Sequence, residues 1–92
     1  MKLKNEVPEM KSRFAGILEN LKEYAPALAA RGGYNDFITR LSWDALRACY
    51  KSAEICDWYE KYNCTDAHIT TAARVALLSV YPEAEKIGGP NK

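Results

Sequence analysis

The stretch Tyr34–Tyr62, YNDFITRLSWDALRACYKSAEICDWYEKY, decides how this chain folds. It contains neither glycine nor proline, and neither occurs again before Pro82. Tyr34, Ile38, Leu41, Ala45, Ala48, Ser52, Ile55, Tyr59 and Tyr62 recur along it at alternating steps of four and three, and Ser52 is the polar exception. Such a seam belongs to a helical hairpin or bundle. It predicts one long helix from about 35 to 62, started by a cap from Asn35 or Asp36. A rival reading breaks the stretch near Lys51–Ser52, with Ser52 capping a second helix and Glu54 in its first turn.

A second apolar stripe, Trp43, Leu46 and Tyr50, runs along the same helix. Asp36, Arg40, Asp44 and Arg47 lie between the stripes, spaced for i,i+4 and i,i+3 ion pairs. Pairs of this kind ordinarily mark a solvated face and contribute only a few tenths of a kcal/mol each. The stripe beside them needs cover from the N-terminal helix, the last helix or another molecule. Left bare, it would be an aromatic patch of the kind that marks an interface. Trp43, Tyr50, Arg40, Arg47, Asp36 and Asp44 are therefore the candidate partner-binding residues, the aromatics as anchors and the charges as rim. A twofold dimer or a foreign protein could bury them.

Before this stretch, Pro8 suits a first helical turn and Glu9 sits well against the helix dipole. Met10, Phe14, Ile17, Leu18 and Leu21 then share one face, extended by Tyr24, predicting a helix from about Glu6 to Tyr24 that ends before Pro26. Pro26–Arg31 can add a turn, stopped by Gly32-Gly33. After it, Asn63 can adopt the left-handed conformation that closes a helix, and Thr65 or Asp66 caps the next. Ile69, Ala72, Ala73, Ala76, Leu77 and Val80 form the buried face of that last helix. Its one charge between Ala67 and Pro82 is Arg74, so it is central to the fold or part of a subunit interface. Pro82 ends it, Glu83–Ile87 can add a turn, and residues 1–5 and 88–92 are expected to fray.

The totals fit one helical domain over residues 1–92. A chain of 92 residues has a modest core unless something staples or pairs it. Seven of its ten aromatics fall between Tyr34 and Tyr62, more than a minimal helix core needs, which again suggests a partner. A net charge of +1 gives no broad pull toward nucleic acid or anionic lipid. There is no membrane-length apolar run, and the start lacks the apolar core of a signal peptide. The expected location is cytoplasmic, where thiols stay reduced.

All three cysteines, Cys49, Cys56 and Cys64, lie within sixteen residues, and His68 is the single histidine. On a continuous helix Cys49 and Cys56 are about 10.5 Å apart, beyond disulfide reach, and Cys64 is farther still. Only a break near Ser52 reopens that question. Three thiolates and an imidazole could suit zinc, but the tight Cys-x2–4-Cys knuckle is missing and the segment reads as helix. No metal and no cofactor is expected: the cysteines behave as small hydrophobes, with Cys64 packing on Ile69 across the Thr65 cap.

Residues 58–75, WYEKYNCTDAHITTAARV, can be laid on a helix-turn-helix presenting His68, Thr70, Thr71 and Arg74. Tyr59 stands where a small residue normally lets the helices cross, and one basic residue is few for phosphate neutralisation. Nucleic acid is thus the second choice of partner, behind protein. Catalysis has little support. Cys64 and His68 lie one turn apart, but no oxyanion-hole loop, phosphate loop or dinucleotide fingerprint accompanies them.

The stretch from Ser42 to Leu77, SWDALRACYKSAEICDWYEKYNCTDAHITTAARVAL, is similar in style to the compact, aromatic-rich helical proteins encoded by phages and mobile elements. Some of these inhibit host defence systems, the anti-CRISPR class among them. The resemblance implies a small binding protein or inhibitor and carries over no functional residue. The expectation is an all-α bundle of three or four helices with one long central helix. Its function would be non-catalytic binding of a macromolecule. A DNA-binding regulator and a structural self-associating module are the alternatives.

Overall fold

The computed structural model describes residues 6–31 and 34–87, the side chains of Tyr34 and Asn35 excepted. The chain is all-α. Helices α1 (Val7–Gly16), α2 (Leu18–Ala29), α3 (Tyr34–Cys49), α4 (Ser52–Lys61), α5 (Asp66–Val80) and the single turn α6 (Ala84–Ile87) follow one another, more pieces than the three or four expected. The segments expected to fray, and the Gly32-Gly33 stop, lie outside the described residues.

The long helix does not exist as one piece. It breaks at Tyr50–Lys51, where Lys51 is extended (φ −74°, ψ 151°) and is itself the N-cap, with Ser52 already helical. Both sides of the break find partners. The Lys51 N–H donates to Glu54 Oε1 at 2.9 Å, and Arg13 from α1 donates to the Cys49 carbonyl at 2.7 Å. These satisfy backbone groups that any helix end leaves orphaned. The break also rephases burial. Ala48 and Ser52, two small members of the seam beside the break, are exposed, while Ile55, Trp58 and Tyr62 turn inward. A straight helix would carry Trp58 away from the side that Leu41 and Ala45 bury. Breaking at Tyr50 lets both sets reach the core.

Two further boundaries depart from expectation. The first helix is interrupted at Ile17 (φ −112°, ψ 16°), just after Gly16, a weak helix former. Its second half runs through Pro26 to Ala29, because Ala25 and Ala29 are both buried and small enough to dock the extra turn. The exposed Pro26 ring faces outward, and helical bonding continues past it, the Ala30 N–H donating to the Pro26 carbonyl at 3.1 Å. Helix α3 starts at Tyr34, which places Asp36 in its first turn rather than at its cap.

The α4–α5 turn follows its sequence closely. Asn63 takes φ 48°, and the N–H groups of Asn63 and Cys64 return to the Glu60 and Tyr59 carbonyls at 3.3 and 3.2 Å. This is the Schellman closure that a left-handed residue permits. Thr65 caps α5, and its N–H donates to His68 Nδ1 at 3.0 Å. Helix α5 is the hub. It packs chiefly on α1 and α3, burying Ile69, Ala72, Ala73, Ala76 and Leu77 against Met10, Phe14, Ile38, Leu41 and Ala45 in one core. Val80 is half-buried rather than buried. Helix α2 lies along α3, and α6 closes the α2–α3 end. No helix among the described residues is long and apolar enough to cross a membrane.

Candidate functional site

Helix α3 buries Phe37, Ile38, Leu41, Ser42, Ala45 and Leu46, which leaves Asp36, Arg40, Trp43, Asp44 and Arg47 on its outer face. Asp36 and Arg40 pair at 2.8 Å, and Arg47 reaches Asp44 at 3.4 Å. Asp36 near the N-terminus and Arg47 near the C-terminus also suit the helix dipole. The Arg47 guanidinium stands 5.5 Å over the Trp43 ring, yet its side chain remains 67% exposed.

An open cleft of about 360 Å³ adjoins this face, lined by Trp43 and Arg47 of α3, Tyr59 of α4 and Asp66 of α5. Trp43 is half-buried, and its Nε1–H donates to Thr70 Oγ1 of α5 at 2.8 Å, so the wall is held rigidly. The Tyr59 hydroxyl donates to Asp66 Oδ1 across the turn. Losing that proton would break the bond and set a phenolate beside a carboxylate, so the Tyr59 hydroxyl is pushed up to about 12. On the other flank Tyr24 of α2 is pushed to about 12, first by burial and then by the Asp44 charge. The arrangement offers aromatic area, a forked cation and an acceptor in one concavity.

Tyr50 stands apart from the other five candidates. It is 6% exposed, packed edge-on against Trp58 with centroids 4.9 Å apart. Arg13 lies 4.4 Å over its ring. Burial, and secondarily the Glu9 charge, raise its hydroxyl well above the ordinary tyrosine range, with Arg13 acting the other way. Leu46 is fully buried too. The second stripe thus finds its cover within the fold at two of three positions, Tyr50 beneath α1 and Leu46 in the core. Sequence reasoning missed Arg13, whose partners are distant in the chain, and Tyr59 and Asp66. The last two could have been found: a left-handed Asn63 brings the end of one helix beside the start of the next.

The cysteines and His68 do not converge. Cys49 ends α3 half-buried, Cys56 is exposed on α4, and the Cys64 thiol donates to the Trp58 carbonyl at 3.3 Å. All three are free thiols even though the break near Ser52 reopened the disulfide question. Burial raises the Cys49 thiol, with Arg13 opposing it, and burial also raises that of Cys64. Among the described residues no three of His, Cys, Asp and Glu gather into a metal-holding group. Helices α4 and α5 do form a helix–turn–helix in the plain sense, but α5 packs mainly on α1 and α3, and Arg74 is half-buried.

No protein-family model, no curated protein and no solved structure matches this chain.

Proposed function

We propose that this chain is a non-catalytic protein-binding module, with the outer face of α3 and the adjoining cleft as its contact surface. In its narrowest form the reading is a small phage-type inhibitor of a host defence complex, a form supported only by the resemblance in style. The observation that carries the reading is Arg47 over Trp43: a rigidly seated aromatic with an exposed guanidinium at the mouth of a concavity. Trp, Tyr and Arg dominate binding hot spots, where they bring large contact area and directed hydrogen bonds. The alternating charges along α3 would set orientation more than affinity.

Photo-cross-linking tests it. A photoreactive residue at Arg40 or Arg47 should give a product in host cells at a mass other than twice the chain's, one that Trp43→Ala abolishes. The same residue at Glu19, exposed on α2, should give none. Products from Glu19 alone would contradict the assignment. Tight binding of a duplex at physiological salt, lost with Arg74→Ala, would put the DNA-binding alternative first.

A further inference from the structure

The order of charges on the outer face of α3 carries one more inference. Read from the N-terminal end, the row is Asp36, Arg40, Asp44, Arg47: acid, base, acid, base. Read from the other end it is base, acid, base, acid. A row that inverts its signs on reversal is complementary to itself when two copies lie antiparallel, whereas parallel copies would set like against like. We propose that α3 pairs with α3 of a second copy across a twofold axis, Asp36 meeting the partner's Arg47 and Arg40 meeting the partner's Asp44. The inference rests on reading this face as the contact surface, which a second copy holds weakly until a foreign partner displaces it.

The geometry accommodates such a pair. The row spans about 16.5 Å at 1.5 Å per residue, on a helix long enough to carry all of it. All four charged side chains are 42–67% exposed, so none must be pulled from the core. Their present partners are local, and exposed pairs of this kind are held weakly. They can therefore bridge across an axis while staying near one another. The axis falls between Arg40 and Asp44, which places Trp43 beside the partner's Arg40. Arg47 of the same chain already stands over that ring, and a guanidinium from the partner would extend the same stacking. A twofold contact also uses one patch twice, and so needs no second surface on so small a chain. One helix face per copy lies below the roughly 1,200 Å² of stable complexes, so the pair is expected to be weak and salt-sensitive.

Charge exchange tests this on the intact chain by sedimentation. Wild type should dimerise between about 1 and 200 µM at low salt and dissociate as salt is raised. Arg40→Glu sets an acid opposite the partner's Asp44, and Asp44→Lys sets a base opposite the partner's Arg40. Each variant alone should weaken dimerisation at least ~10-fold. Mixed in equal amounts they should form a heterodimer, because every facing pair is then opposite in sign. Should either variant lose its helical circular dichroism, Asp36→Lys mixed with Arg47→Glu makes the same test with the outer pair. A wild type that stays monomeric overturns the pairing. So does a dimer indifferent to both variants, or a mixture that stays monomeric. None of these touches the docking reading, which is judged by cross-linking to a foreign protein.

Discussion

Among the described residues two arginines stand over aromatic rings, and they do different work. Arg13 lies 4.4 Å over Tyr50, pairs with Glu9 at 2.9 Å and donates to the Cys49 carbonyl at 2.7 Å. Arg47 lies 5.5 Å over Trp43, and its other partner is Asp44, three residues away. The first ring is buried, and the second is half-buried at the wall of an open cleft. Arg13 closes a helix end across 36 residues of chain, so it helps fix the fold. Among the described residues Arg47 is held only by its own helix, and its side chain stays 67% exposed. An arginine over an aromatic ring is a strut where its cation has distant backbone to satisfy, and stays exposed where it has only its own helix.

The largest expected effect lies on the buried side. Trp58 is 5% exposed and supports Tyr50 edge-on. Trp58→Ala should cost about 3–5 kcal/mol in denaturant unfolding, as large aromatic truncations do. A loss below about 1 kcal/mol would mean that the Tyr50 side of the comparison is not core. Tyr50→Phe sharpens it further. Among the described residues the Tyr50 hydroxyl is buried with no hydrogen-bond partner, and an unsatisfied buried hydroxyl costs about 1–3 kcal/mol. Its removal should leave stability unchanged or raise it, by about 4–8 °C in Tm for each kcal/mol in a domain this size. A clear loss would show the hydroxyl bonded, with the nearby Glu9 carboxylate as the acceptor.

The smallest effect is on the open side and is read by pH. The Tyr59 hydroxyl is raised to about 12, chiefly by its bond to Asp66. A pKa raised on folding stabilises the folded chain below the unfolded value near 10, and that contribution is lost as pH climbs through about 12. Tyr59 is partly exposed, so the loss in stability should be slight, but the titration itself is visible in tyrosinate absorbance. Asp66→Asn should bring one tyrosine down toward 10 and leave Tyr24, raised by burial and Asp44, where it was. An unchanged titration curve would mean that Tyr59 and Asp66 are not joined across the turn.

Much of this architecture was legible in the sequence where local rules decide. Asn63 closing a helix, Thr65 capping the next, the buried face Ile69–Leu77 and the ion pairs along α3 all follow from spacing and capping chemistry. The break at Tyr50 was legible only as a rival to the continuous helix. The heptad seam ran through Ala48 and Ser52, whose burial contributes little, and it passed over Trp58, whose burial contributes much. Weighing positions by the area they can bury would have favoured the break. Arg13 could not be read at all, because the carbonyl it satisfies is exposed only once that break exists. Trp43, Asp36, Arg40, Asp44 and Arg47 do share the outer face of α3, as their spacing predicts. Tyr50 shares the stripe of Trp43 in the sequence, and a stripe on one helix says nothing about which neighbour covers each end.

The central claim is that Arg13 belongs to the fold and Arg47 to the surface. Matched urea unfolding of Arg13→Ala and Arg47→Ala tests it most directly. Arg13→Ala leaves the Cys49 carbonyl and the Tyr50 ring without their cation, and should cost about 1–3 kcal/mol. Arg47→Ala removes an exposed side chain and should stay within about 0.5 kcal/mol of wild type. Equal losses, or a larger loss from Arg47→Ala, would contradict the account.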